Sequence, residues 1–213
     1  MDLESFNTSR ESLVPLLALN NKSNKNIIIF PTDKEAIEFS TDFSNLNKNI
    51  FHLPSWDTLS YDSFVPSFDI QGKRLEIAHL LLTNNNYNIA TSIKAISQRI
   101  YFEELEICKI ELNEEIDFDS LIENLIHLKY QRKDRVESKG SFAIRGGQLD
   151  VYPINYDLPL RVIFDGDLVN EIKTFDTISQ RSVSEKKDIL IVPATELFQI
   201  KHSDILKIGR AHV

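Results

Sequence analysis

Residues 141–175 read SFAIRGGQLDVYPINYDLPLRVIFDGDLVNEIKTF. Two glycine-bearing breaks divide this stretch into short runs rich in β-branched and aromatic residues. Gly146-Gly147 joins SFAIR to QLDVYPI, and Asp165-Gly166-Asp167 joins LRVIF to LVNEIKTF; both are hairpin signals. Side chains alternate across a strand, so Phe142 and Ile144 share one face while Arg145 points the other way with Ser141 and Ala143. Leu160, Val162 and Phe164 likewise share a face, and Arg161 stands opposite them with Ile163. Two arginines are therefore expected on the exposed side of neighbouring hairpins.

Around this stretch the texture is α+β. Upstream, CKIEL reads as a strand. DFDSLIENLIHLKY reads as a helix capped by Asp117 or Asp119, with Leu121, Leu125 and Leu128 inward. Downstream, DILIV is a further strand ending near Pro193. From about residue 106 the chain is thus largely antiparallel, and a boundary is expected near residue 105.

The earlier residues alternate strand and helix instead. NIIIF, NIFHL and YNIAT are buried-type strands. PTDKEAIEFSTDF offers Thr32 or Asp33 as an N-cap, and DIQGKRLEIAHLLL places Leu75, Ala78 and Leu82 on one side at helical spacing, with Ile77, Leu80 and Leu81 widening the stripe. Such alternation implies a mainly parallel α/β sheet.

Composition narrows the function classes. The 213 residues are 42% hydrophobic and 26% charged, which suits a globular chain with a sizeable core. No apolar run approaches the length that spans a bilayer, no signal peptide is visible, and one cysteine, Cys108, excludes an internal disulfide. A cytoplasmic protein with no membrane partner is expected. The net charge of −8 argues against nonspecific nucleic-acid binding by the whole chain. Charge is uneven, however: nine acids face one lysine between Glu103 and Glu123, and six bases face two acids between Lys129 and Arg145. Either run reads first as a solvated face, and the basic segment on an acidic chain is also a candidate docking site for one particular partner.

Sequence chemistry for catalysis is missing. Neither G-x-x-x-x-G-K-[ST] nor G-x-G-x-x-G occurs, and the segment SFNTSRESLVPLL (5–17) has no glycine to bring backbone amides around a phosphate. The five histidines form no i, i+4 pair, and no G-x-S-x-G elbow is present. Asp57, Asp62 and Asp69 have no matching base or metal ligands. A binding module with no catalytic residues, metal or cofactor of its own is expected, and an α/β enzyme with an unrecognised site lacks a convergent polar constellation.

Two motifs then resemble one family. LPSWDTLSYDSFVPSFDIQGKRL (53–75) is similar to the W-[DE]-T-L-P-Y-D-x-F-S-P-x-x-D-[IL]-x-x-x-R-L signature of the transcription-repair coupling factor (Mfd) family. Residues 139–182, followed by ILIVPA, are similar to that family's G-x-[FY]-x-x-R-G…D-[LIV]-[FY]-P…P-x-R…F-D…[ST]-Q-R-[ST] run. The resemblance covers roughly residues 25–195 and implies a UvrB-like module at the start of a longer protein.

The implied fold is α/β: a degenerate RecA-like, UvrB-like parallel lobe over 1–105, without a phosphate loop, then a small α+β UvrB-type interaction domain over 106–192. Residues 193–206 would begin a return to the first lobe. The resemblance also implies a UvrA-recruiting role, linking stalled RNA polymerase to nucleotide-excision repair. Polymerase, double-stranded DNA and ATP would be handled by domains of the parent translocase lying further along. The alternative is a UvrB-type subunit that binds damaged DNA, but only seven residues separate Pro66 from Arg74, which leaves no room for that protein's DNA-gripping hairpin. Trp56, Tyr61 and Phe64 are expected to pack a proline-braced connection against the first lobe.

Residue by residue, the resemblance carries a UvrA-facing role onto Arg145, from the R-G motif, and Arg161, from the P-x-R motif. A family phenylalanine four residues after the second arginine is Asp165 here. Phe164, one residue before, is the nearest aromatic and joins the candidate surface, although alternation turns it inward. The last residues, KIGRAHV (207–213), read back into codons, resemble the start of a short-read sequencing adapter. An artificial end is expected there, with the native chain continuing.

Overall fold

The computed structural model describes residues 25–45, 50–58, 65–98 and 105–196. Expectations for the segment 5–17, for Tyr61 and Phe64, for Asp62, and for residues 197–213 lie outside the described residues. The chain divides into two compact units. One holds the described residues up to 58 together with 77–98, and the other holds 65–76 together with 105–196.

The first unit is a parallel sheet, β1 (Lys25–Phe30), β2 (Phe51–Leu53) and β3 (Tyr87–Ser92), in the order β1-β3-β2. Helix α1 (Asp33–Ser44) starts at Thr32, whose hydroxyl accepts from the Glu35 amide at 3.3 Å. It buries Ala36, Phe39 and Phe43 against Phe30 and Ala90. Helix α2 (Phe68–Thr83) gives Ile77 to a cluster with Leu53 and Ile89, and the short α3 (Ile93–Ser97) follows β3 directly. The expected parallel strand–helix alternation is present in this unit.

The second unit contains β4 (Cys108–Glu111), α4 (Phe118–His127), β5 (Gln131–Arg132), β6 (Ser141–Arg145), β7 (Gln148–Tyr152), β8 (Leu160–Asp165), β9 (Leu168–Phe175), β10 (Ser182–Glu185) and β11 (Asp188–Ile191). Strands β5 to β10 form one six-stranded sheet in the order β10-β9-β8-β7-β6-β5, and β11 pairs β4. All pairings except β5–β6 are antiparallel. Asp117 caps α4 by accepting from the Ser120 amide at 3.1 Å, and Leu121, Leu125 and Leu128 are buried, as the spacing predicts. One sheet face lies in this core: Phe142, Leu149, Val151, Leu160, Val162 and Ile172 pack with the α4 leucines, Ile110 and Ile189.

Three sequence expectations change. Strands β5 and β10 were not marked by the sequence pattern, because they are short and exposed. Leu82, placed on the inward stripe of α2, is exposed. The residues of α2 counted with the second unit instead bury two polar side chains, Gln71 and Arg74. The segment 65–76, expected within the first lobe, is therefore part of the second unit. There Arg74 Nε donates to both Glu196 oxygens, at 2.8 and 3.0 Å, and Gln71 Oε1 accepts from the Glu196 amide at 2.8 Å and the Thr195 hydroxyl at 3.0 Å. A Cβ on Gly72 would lie 2.3 Å from the Ile154 carbonyl oxygen, so the helix approaches the turn after β7 more closely than any side chain permits.

Candidate partner-binding site

The face of the sheet opposite this core carries the candidate residues. Strand register aligns Arg145, Gln148, Ile163 and Glu171 in one row across β6 to β9, and Ala143, Asp150, Arg161 and Lys173 in the next. Arg145 and Arg161 thus share a face two strands and two residues apart, about 12 Å between Cα atoms by ideal sheet spacing. The turn between β6 and β7 is tight because Gly146 takes φ +59°, and because a Cβ on Gly147 would meet the Phe164 carbonyl oxygen at 2.8 Å.

The two arginines sit in different surroundings. Arg145 is exposed, and its Nη2 donates to the Asp134 carbonyl at 3.3 Å. Arg161 is not on an open surface, contrary to the alternation argument; its side chain is 15% exposed and pairs with Asp150, which is 6% exposed. Arg161 Nε donates to one Asp150 oxygen at 2.7 Å and Nη2 to the other at 2.9 Å, a two-pronged pair. Gln148 Nε2 donates to both of the same oxygens at 3.1 Å. The hydrogen bond to Asp150 raises the Arg161 pKa above its ordinary value, and burial opposes it. The guanidinium also lies 4.4 Å from the centre of the Phe175 ring and donates to the carbonyl and side-chain oxygens of Gln180, at 3.4 and 3.3 Å. Alternation missed this burial because the outer face has a small core of its own, with Val136, Ala143 and Phe175 buried together and Tyr152 against them.

Phe164 and Asp165 part company. Phe164 is 7% exposed and meets Phe118 edge-on, with ring centres 4.9 Å apart. It is a core side chain, so its inclusion on the candidate surface is corrected: the β-bulge in the β8–β9 pairing falls after Ile163 without turning Phe164 outward. Asp165 is exposed at the end of β8 opposite Leu168. Asp150 and Gln148 are the residues that sequence reasoning missed. Asp150 lies between the inward Leu149 and Val151 and directly across from Arg161, so hairpin register would have paired the opposite charges.

Asp69 pairs with Lys139 at 2.5 Å. Burial, followed by the Glu114 charge, pushes the Cys108 thiol up to about 11, which makes it a poor nucleophile. Among the described residues no three His, Cys, Asp or Glu side chains are grouped to hold a metal, and no helix is long and apolar enough to cross a membrane.

This α+β unit belongs to a recognised class: residues 108–197 match the family model of the UvrB interaction domain. Relatives that share most of this chain's length include transcription-repair-coupling factors and UvrABC system protein B. It is 29% identical to the Escherichia coli (strain K12) factor over 80% of this chain and 15% of the relative. It is 31% identical to the Myxococcus xanthus factor over 72% of this chain and 13% of the relative. UvrABC system protein B of Thermosipho africanus is 24% identical over 81% of this chain and 28% of that protein. The chain thus spans 13–15% of the length of the two coupling factors.

Proposed function

We propose that this chain is the UvrA-docking module of a transcription-repair-coupling factor, contacting UvrA through the outer face of β6 to β9, with Arg145 at its exposed edge. The observation that carries the reading is the UvrB interaction domain match over residues 108–197, in a chain that aligns over 72–80% of its residues with coupling factors at 29–31% identity. Supporting it, exposed Arg145 lies beside the β5–β6 connection with its Lys133, Arg135 and Lys139, a run of bases on a chain of net charge −8.

In this reading the first unit is a degenerate RecA-like lobe that binds no nucleotide. Ligands of open α/β sheets sit at the carboxyl ends of the strands. Here that edge holds an internal anion: Asp33, at the start of α1, accepts from the Ser55 amide at 3.4 Å and from the Ser55 hydroxyl. A carboxylate at this helix start repels a phosphate. ATP-driven translocation, polymerase contact and DNA contact belong to parent domains, and the working compartment is the cytoplasm. A UvrB-type damage-binding role is supported by the lower-identity match to UvrABC system protein B, but the sequence contains no phosphate-loop motif.

The test is co-elution of the purified chain with UvrA on size exclusion, with and without ATP. A complex that forms in both conditions, with no nucleotide bound by the chain itself, is expected. Nucleotide binding by the chain would favour the UvrB-type role.

A further inference from the structure

We infer that Arg161 acts on the docking partner through the 176–181 turn that it holds, and that Ile178 at the tip of this turn is the apolar anchor of the docking surface. The inference rests on the partner reading above and assigns Arg161 a positioning role within it.

Ile178 is 87% exposed, more than any other large apolar side chain among the described residues. Single exposed apolar residues are ordinary on protein surfaces; what distinguishes this one is its support. Asp176 accepts from the Ser179 amide at 2.7 Å and the Ser179 hydroxyl at 2.8 Å, and its own amide donates to the Arg181 carbonyl at 3.0 Å. The Gln180 amide donates to the Asp176 carbonyl at 2.8 Å, and Gln180 Nε2 donates to the Thr177 carbonyl at 2.8 Å. From the β5–β6 connection, Arg135 Nη2 donates to the same Thr177 carbonyl at 2.8 Å.

Gln180 is the strained point. It takes φ +60°, a conformation that costs energy for a residue with a Cβ and persists only where surrounding contacts enforce it. Arg161 supplies two of those contacts, to the Gln180 carbonyl and to its Oε1. Asp150 and the Phe175 ring in turn fix the guanidinium. A chain of bonds therefore runs from the sheet through Arg161 to a turn that presents Ile178 to solvent.

This arrangement suits an anchor. An apolar side chain on a loose loop would lose conformational freedom on binding, whereas here the turn is ordered in advance. Phe164 and Phe175 are both buried, so neither offers an aromatic anchor beside Arg161. Arg135 and Arg181, both exposed, lie in or against the turn, so the complementary partner surface is an apolar pocket rimmed by carboxylates.

The experiment has two arms. Hydrogen exchange of the 178–181 amides is measured in the unsubstituted chain and in Arg161→Lys, and calorimetry with UvrA is run on both together with Ile178→Ala and the double variant. The inference predicts at least tenfold faster exchange in Arg161→Lys. It also predicts about tenfold weaker binding for Ile178→Ala at unchanged melting temperature, and a double variant no weaker than Arg161→Lys alone. Undiminished binding by Ile178→Ala, or losses that multiply in the double variant, overturns the anchor and makes Arg161 a direct contact. Unchanged exchange in Arg161→Lys overturns the positioning role. If the unsubstituted chain does not bind UvrA, the partner reading fails and takes the anchor with it, while the exchange arm still decides whether Arg161 holds the turn.

Discussion

Arg161 on β8 and Asp150 on β7 are cross-strand partners joined by two hydrogen bonds of 2.7 and 2.9 Å, with the carboxylate almost wholly buried. Removing one member of such a pair leaves the other charge without its counter-ion in a place water barely reaches. Arg161→Ala should therefore destabilise the second unit by about 3 kcal/mol. Asp150→Ala should cost a similar amount, and the double variant less than the sum. Urea unfolding followed by circular dichroism measures all three; additive losses would show that the two residues are not coupled.

A second pair tests the opening of α2. Arg74 is fully buried and donates to both oxygens of Glu196. Arg74→Met keeps the apolar stem and strands the carboxylate, so a loss of about 3–5 kcal/mol is expected. Glu196→Gln keeps a hydrogen-bond acceptor but leaves the buried Arg74 guanidinium, which cannot shed its proton, without a counter-ion, and should cost a similar amount. Small losses from both would mean that water reaches the site.

Gly72 and Gly146 separate two reasons for glycine. A Cβ at Gly72 would overlap the Ile154 carbonyl, and backbone on both sides must move to relieve it. A Cβ at Gly146 would meet nothing within 4 Å, and only the φ of +59° resists it. Gly146→Ala should cost about 1 kcal/mol and Gly72→Ala about 3 kcal/mol or more, read as melting temperatures. The reverse order would contradict the close approach of the helix.

Much of this architecture is legible in the residues themselves. The glycine pair at 146–147 and the alternation of Phe142, Ile144, Leu160, Val162 and Phe164 give the hairpins and their inward face. Asp117 and the leucine spacing after it give α4. The outer face is harder, because alternation says which side a residue takes and not whether that side is covered. Arg161 reads as a surface arginine until Val136 and Phe175, distant in sequence, close over its neighbourhood. Leu82 fails for the opposite reason: helical spacing cannot tell which end of α2 packs on which unit. The turn at 176–181 is legible only in part: Asp176 three residues before Ser179 signals a local bond, but the bonds from Arg135 and Arg161 leave no pattern.

Asp33 offers a pH test of the first unit. Burial raises its pKa, but hydrogen bonds from Ser55 and Ser92, the Ser55 amide and the His52 charge outweigh it, so the net shift is downward from 3.8. A carboxylate with a lowered folded-state pKa contributes stability above its unfolded value and loses it as pH falls through the folded one. Asp33→Asn should therefore melt below the unsubstituted chain at pH 7, and the gap should close below about pH 3.8. A gap that persists unchanged in acid would assign the effect to packing rather than to charge.

The central claim is that the outer face of β6 to β9 docks UvrA, and Arg145 is its cleanest reporter because it is exposed, with one hydrogen bond to the Asp134 carbonyl. The most direct measurement is a calorimetric titration of UvrA into the chain and into Arg145→Ala, with melting temperatures recorded for both. The account predicts binding by the unsubstituted chain, about tenfold weakened in Arg145→Ala at unchanged melting temperature. Absence of heat with the unsubstituted chain, or equal affinity for the two, would contradict it.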